Sequence, residues 1–336
     1  MTKKEIKEKR RRRKIFIAIL MILFTGIVLS TSTYAWFTAN KTVTVEQIEV
    51  NVAAENGLQL SVDGTNWKPV ITNVDIDGAI ATYKAAVNQL PKVSNSIVPT
   101  STIGDVDATT GFMNMYAGTI ETKEDHYILT AKKTTETNSG NSGDFIAFDL
   151  FFRTTEDTSI YLTDASSVKN TGGPLGLQNA ARVAFVPQGN TTTGDTLANI
   201  QAMKATDNTG LVIWEPNYDV HTAAAVNNAL NNYGISTQET GATLLSYVGV
   251  KDEIESAADV RLNSKDTAYF GSVVPNITTL SSGIPTTAYA KAFDLSAGIT
   301  KIRIYMWIEG QDVDCENDAS GSNIAFNVQF SMNEKA

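Results

Sequence analysis

In Ile299 to Ile308, the residues Ile302, Ile304, Met306 and Ile308 alternate with Lys301, Arg303, Tyr305 and Trp307. In Asn323 to Ser331, Ile324, Phe326, Val328 and Phe330 alternate with Ala325, Asn327 and Gln329. A period of two sends successive side chains to opposite faces, so both segments predict strands. Their acidic, Gly/Ser-rich connection of 14 residues predicts that the two pair antiparallel. Phe148, Leu150 and Phe152 share a face against Asp149 and Arg153, and Ile160 and Leu162 follow after a polar turn, predicting a second adjacent antiparallel pair. From Thr42 to Ala54, Val43 and Val45 alternate in one phase and Ile48, Val50 and Val52 in the other. The slip at Glu46-Gln47 turns the apolar face over unless a bulge or bend absorbs one residue. Asp63-Gly64 between Leu58–Val62 and Trp67–Val70 predicts a hairpin.

The remaining stretches are less periodic. Ala79 to Leu90 predicts a short helix, with Asp77 in capping position and Pro91 beyond its end. Residues 94–125 read as surface loop, His126 to Lys132 as a strand, and Thr134 to Gly143 as a polar linker. Asn179 to Val186 ends in β-branched and aromatic residues and predicts a strand, as does Leu211 to Trp214 before Pro216. Thr222 to Tyr233, stopped by Gly234, predicts a helix whose thin apolar face (Val226, Leu230) places it on the surface. With no repeat of 20–50 residues, solenoids and propellers are disfavoured. The expected class is mainly β: one antiparallel β-sandwich or jelly roll over 36–336, with loop and short-helix insertions at about 71–143 and 187–265.

The chain's start has a different pattern. Lys9 to Lys14 is an unbroken basic block, followed by the apolar run Ile15 to Leu29 and then Ser30 to Phe37. Basic, apolar, then small residues is the layout of an export signal, and the basic flank stays on the cytoplasmic side. Thr33 and Ala35 stand at −3 and −1 of a cut between Ala35 and Trp36. Counted through Phe37, the run would span about 34 Å as a helix, enough to cross a bilayer. Two readings of 1–35 therefore stand, a cleaved signal peptide and a retained N-terminal anchor helix. In both, residues 15–37 engage the membrane at least transiently and the rest lies outside the cell or on its surface.

Composition then narrows the function. Of 27 basic and 36 acidic residues, nine basic and two acidic fall in 1–35, leaving 18 against 34 for the remainder. Such a surface repels phosphate backbones, so nucleic acid is not expected as a partner. Cys315 is the only cysteine, which rules out an intramolecular disulfide. Asp312, Asp314, Glu316 and Asp318 lie two apart, so an extended backbone would set all four on one side, a candidate Ca²⁺ site. The alternative is a solvated acidic turn whose side chains bond the local backbone. Cys315 in that negative setting makes a poor thiolate. Two histidines, His126 and His221, with no His-Glu-x-x-His, Gly-x-Ser-x-Gly or phosphate-cradling loop, argue against an enzyme. Trp67, Trp214 and Trp307 lie near turns and offer candidate aromatic platforms for glycans, against ordinary packing.

The junction Tyr34-Ala35-Trp36-Phe37-Thr38-Ala39-Asn40, running from the leader straight into a strand, resembles the camelysin/TasA-type exported proteins of Firmicutes. The resemblance implies a jelly-roll domain released by a dedicated signal peptidase and, for some members, polymerisation into biofilm matrix fibres. It also implies a role for Thr38 to Ala54, with Val43, Val45, Ile48, Val50 and Val52 completing the sheet of a neighbouring copy. The expected function is an exported Gram-positive-type cell-surface or extracellular-matrix structural protein that assembles into filaments by N-terminal strand exchange. The alternatives are a membrane-tethered adhesive or glycan-binding domain and a secreted hydrolase.

Overall fold

All eleven residues of the strand Gly298–Ile308 are buried, and the rest of the fold is arranged on its two faces. A computed structural model describes residues 36, 43–52, 57–90, 96–123, 126–136, 144–233, 248–255 and 266–335. The expected leader at 1–35, including Ala35, lies outside the described residues. Among the described residues no helix is long and apolar enough to cross a membrane. The protein is mainly β, with residues 34–336 forming one unit.

Two large sheets share a core. The first, of six strands, runs Ile277–Thr279, Val212–Pro216, Ala181–Thr191, Gly298–Ile308, Ile146–Thr154, Gln59–Ser61. The second, of seven, runs Ala290–Leu295, Thr158–Leu162, Asn323–Ser331, Val43–Val52, Val70–Thr72, with Ser167–Gly172 and Ser96–Ile97 paired beside that path. Ile302, Ile304, Met306 and Ile308 from the first meet Ile324, Phe326, Val328 and Phe330 from the second in a single apolar cluster. Phe152, Phe185, Phe293 and Phe330 interlock there, mostly edge to face, with ring centroids 5.2–5.7 Å apart.

The strands expected from alternation are present except over Trp67–Val70, where Lys68 makes a single bridge to Leu60 and the strand begins only at Val70. Two expected partnerships are not present. Gly298–Ile308 and Asn323–Ser331 lie in different sheets, as do Ile146–Thr154 and Thr158–Leu162. Stacked sheets lie about 10 Å apart, a gap that even a three-residue connection spans when extended. Alternation reports which face a residue takes, and both a hairpin and an arch between sheets satisfy it. The Asp63-Gly64 turn forms, with Gly64 at φ +75° and backbone bonds joining Leu60 to Lys68. Its flanks then part, Gln59–Ser61 to one sheet and Val70–Thr72 to the other. Nor is the pairing wholly antiparallel, since Val43–Val52 runs parallel to Asn323–Ser331, and Val212–Pro216 runs parallel to Ile277–Thr279.

The phase slip is resolved by a bulge. The ladder to Asn323–Ser331 shifts between Val45 and Gln47, leaving Val43, Val45, Ile48, Val50 and Val52 all in the core. The segment read as a helix over 79–90 holds only one short helical turn, Ala79–Ala81, and the helix itself lies just before it, Asn73–Gly78. Thr72 and Asp75, rather than Asp77, form the capping box. Residues 94–125 are not plain surface loop. Thr100–Ser101, Tyr116–Lys123 and His126–Lys133 make a third sheet.

Residues from 71–143 and 187–265, with Val273, cover the far side of the six-stranded sheet. Tyr305 and Trp307 pack there with Met113, Met115, Ala205 and Val273, while Ile299 and Phe151 pack with Tyr83, Ala86 and Ile200. A sheet covered on both faces has its charged residues buried too. Lys301 and Arg303, on the face opposite the isoleucines, are 5% and 0% exposed.

Candidate functional site

The central strand ends at Ile308, and the chain then folds into a buried knot of turns over 309–319. Backbone bonds from Asp312 N to Glu309 O (3.1 Å), Cys315 N to Asp312 O (3.0 Å) and Ala319 N to Glu316 O (3.1 Å) coil it tightly. Asp312 Oδ1 accepts from Asp314 N at 2.9 Å, and Glu309 Oε1 from Gln311 N at 3.0 Å. The segment is not extended, so its four alternate carboxylates do not line one side. Asp312, Asp314 and Glu316 are buried, and Asp318 is exposed. Nor is it solvated, although the expected side-chain bonds to local backbone are present.

Burying carboxylates costs several kcal/mol each unless cations face them. Two neighbouring elements supply the cations. Arg182, on the strand Ala181–Thr191, donates to Asp312 Oδ2 at 2.7 Å and Glu215 Oε1 at 2.5 Å. Its other terminal nitrogen donates to the carbonyls of Asn179 and Ala181. His221 Nδ1 lies 2.6 Å from Asp314 Oδ2. Asp314 Oδ1 accepts from Thr222 N at 2.9 Å, just before the helix Ala223–Tyr233, where the helix dipole favours a negative charge. Thr222 caps that helix, its hydroxyl accepting from Ala225 N at 3.1 Å.

The electrostatics follow from burial. Burial pushes Glu309 up to about 7. Burial, with Asp314 next to it, does the same for Glu316. Glu215 and Asp314 are also raised by burial, in spite of their cations. Burial alone would lower His221, but Asp314, Asp312 and Glu215 raise it. Cys315, fully buried among these acids, is pushed well above the ordinary thiol range and is no nucleophile.

Ligand atoms of His221, Asp312 and Asp314 lie within 4.8 Å of one another, a nitrogen and oxygen set of the kind that suits a transition metal better than Ca²⁺. Arg182 and His221 contact Asp312 and Asp314, two of the four residues of the expected Ca²⁺ site, so the knot has positive charge of its own. The His221–Asp314 pair also has the form of a base and its orienting carboxylate, and Nε2 of His221 has no hydrogen-bond partner among the described residues.

The other candidates lie elsewhere. His126 opens a strand of the third sheet. Trp214 and Trp307 are fully buried and present no platform, while Trp67 lies under the Arg153 guanidinium at 4.4 Å. The helix expected on the surface buries Ala225 and Ala229 against Trp36 and Phe270. Trp36 itself is 0% exposed. A Cβ on Gly118 would come within 2.7 Å of its ring, and one on Gly310 within 2.5 Å, so two glycines wall its slot.

Arg182 and Glu215 were absent from the sequence reading of the site. Their signal was a lone charge inside an apolar strand, Ala-Ala-Arg-Val-Ala-Phe-Val and Val-Ile-Trp-Glu-Pro, which implies a buried counter-charge. No family model, curated protein or solved structure matches this chain.

Proposed function

We propose that this chain is an exported, non-catalytic structural protein of the cell surface or extracellular matrix, a sandwich of two sheets whose first strand joins copies to one another. One observation carries the reading. Val43–Val52 sits inside the seven-stranded sheet, paired in parallel with the last strand from Thr44↔Asn323 to Val52↔Phe330. Parallel neighbours are never joined by a tight hairpin, so nothing local ties this strand to its partner. A second copy offers the same main-chain ladder and the same five core side chains. Support also comes from the charged interior, where Glu215, Asp312, Asp314 and Asp149 pair with Arg182, His221, Lys301 and Arg303.

The test compares mature protein with a variant lacking 36–52 by size-exclusion chromatography and negative-stain imaging. Expected are oligomers or filaments from the former only, with the truncated chain capturing a synthetic 36–54 peptide. Mature protein that stays monomeric at high concentration overturns assembly. It would favour a second reading, a tethered monomer closed by its own strand, which the docking of Trp36 in its own domain supports.

A further inference from the structure

On the opposite side of the six-stranded sheet from the shared core lies a second group of buried charges. Asp149 and Arg303 are directly paired on adjacent antiparallel strands, with Phe151 and Lys301 paired two residues along. Lys301 Nζ lies 3.0 Å from Asp149 Oδ2. The Tyr83 hydroxyl touches both, accepting from Nζ at 2.9 Å and lying 2.9 Å from the same Oδ2. Arg303 donates to the other oxygen, Oδ1, at 2.7 Å. Backbone carbonyls of Gln201 (3.0 Å) and Met203 (2.9 Å) fix the amine in place. The rings of Tyr83 and Phe151 flank it at 5.5 and 5.8 Å. Asp149, Lys301 and Tyr83 are 3%, 5% and 3% exposed, so the pair is almost dry. Glu136 completes the set, pairing with Arg303 and accepting from the Tyr305 hydroxyl at 2.6 Å.

We propose that Lys301 and Asp149 condense into an intramolecular amide that covalently joins the two central strands. Amine, carboxyl and proton carrier are held in contact, which replaces an improbable encounter in water by a fixed geometry. The ammonium passes a proton through the Tyr83 hydroxyl to Oδ2, giving a neutral amine and a carboxylic acid. The Nζ lone pair then attacks Cγ, and Arg303 faces the charge that grows on Oδ1. The second amine proton follows the same route, the Cγ–Oδ2 bond breaks, and Oδ2 leaves as water. Atoms and charge balance, since an ammonium and a carboxylate become one amide and one water with no oxidant or co-reactant.

The charge pattern agrees with this product. Two cations (Lys301, Arg303) face two anions (Asp149, Glu136), and the condensation removes one of each, leaving Arg303 with Glu136. It also ends the cost of keeping one ion pair out of water. Burial lowers Lys301, and Arg303 beside it adds to this, favouring release of its proton. Burial would raise Asp149, yet Arg303 and Lys301 hold it below the usual range, so the ion pair is the resting form and the neutral pair a minor one from which the bond forms.

Mass spectrometry of the denatured full chain decides the matter, read against the mass set by its own N-terminus. The expected mass is lower by one water, and proteolysis yields a branched peptide joining Ile146–Thr154 to Gly298–Ile308. A chain at its full sequence mass, with separate linear peptides carrying unmodified Asp149 and Lys301, overturns the proposal. In folded Tyr83→Phe the bond is expected to form roughly a hundredfold more slowly. An unchanged rate in that variant overturns the proton path.

Discussion

Arg182 is the residue on which the acidic knot depends. Among the described residues it alone bridges Glu215 and Asp312, from within an apolar strand and with almost no contact with solvent. Arg182→Met keeps the length and loses the charge, leaving two buried carboxylates facing each other. The expected cost is about 3–5 kcal/mol in urea unfolding. Adding Glu215→Gln and Asp312→Asn should recover much of it, and a triple variant no more stable than the single one would show that Arg182 acts through packing. The same knot sets a pH dependence. Glu309 and Glu316 titrate near 7 when folded, against an ordinary value of 4.5. Between those values the folded chain keeps protons that the unfolded chain has lost, so stability falls as pH rises through that window. His221, raised above 6.5, adds in the same direction, since its protonated form is favoured in the fold and its contribution is lost as pH rises through the folded value. The melting temperature is therefore expected to fall from pH 5 to pH 8, less steeply in Glu309→Gln. A rise over that range would mean that another cation, such as a bound metal, satisfies these acids. The sequence showed the acids and their spacing. It did not show that 309–319 would be buried, because the covering residues come from segments 92 to 130 positions earlier.

At the scale of elements, local pattern identified strands and pairing decided the rest. The slip at Glu46-Gln47 was legible because a period of two has no other way to keep Val45 and Ile48 on one face. The two arches between sheets were not legible, since a turn has the same composition whether it reverses a strand or lifts it to another layer. The burial of Lys301 and Arg303 was hidden for a related reason, as their counter-ions Asp149 and Glu136 come from other segments. Trp36 shows a similar dependence. This one aromatic residue fills a slot made by the strand Tyr116–Lys123, the helix Ala223–Tyr233 and the turn after the central strand. Trp36→Ala would leave a cavity among Tyr116, Leu129, Ala229 and Phe270 and is expected to cost about 3–5 kcal/mol. Gly310→Ala should act on the same contact from the other side, because the added methyl meets the indole. If neither substitution moves the urea midpoint, Trp36 is not docked against the domain in solution.

For the whole molecule, the decisive feature is that the first and last strands of the domain lie side by side. Val50 and Val328 are direct partners in that parallel ladder, and both side chains enter the shared core. A closed monomer and a strand-exchanged filament contain the same Val50–Val328 contact and differ only in whether one chain or two provide it. Cysteines at these two positions separate the cases, since partners in a ladder lie within reach of a disulfide. Cys315, buried and the only thiol, is replaced first so that no third sulfur competes. After oxidation of the mature protein, Val50→Cys with Val328→Cys is expected to give a ladder of covalent multimers on a non-reducing gel, collapsed by reductant. Each single variant should stay monomeric. A cross-link found only within single chains, at every protein concentration, would establish that the strand closes its own sheet. The chain would then work as separate copies, and any attachment to neighbours would fall to some other part of the molecule.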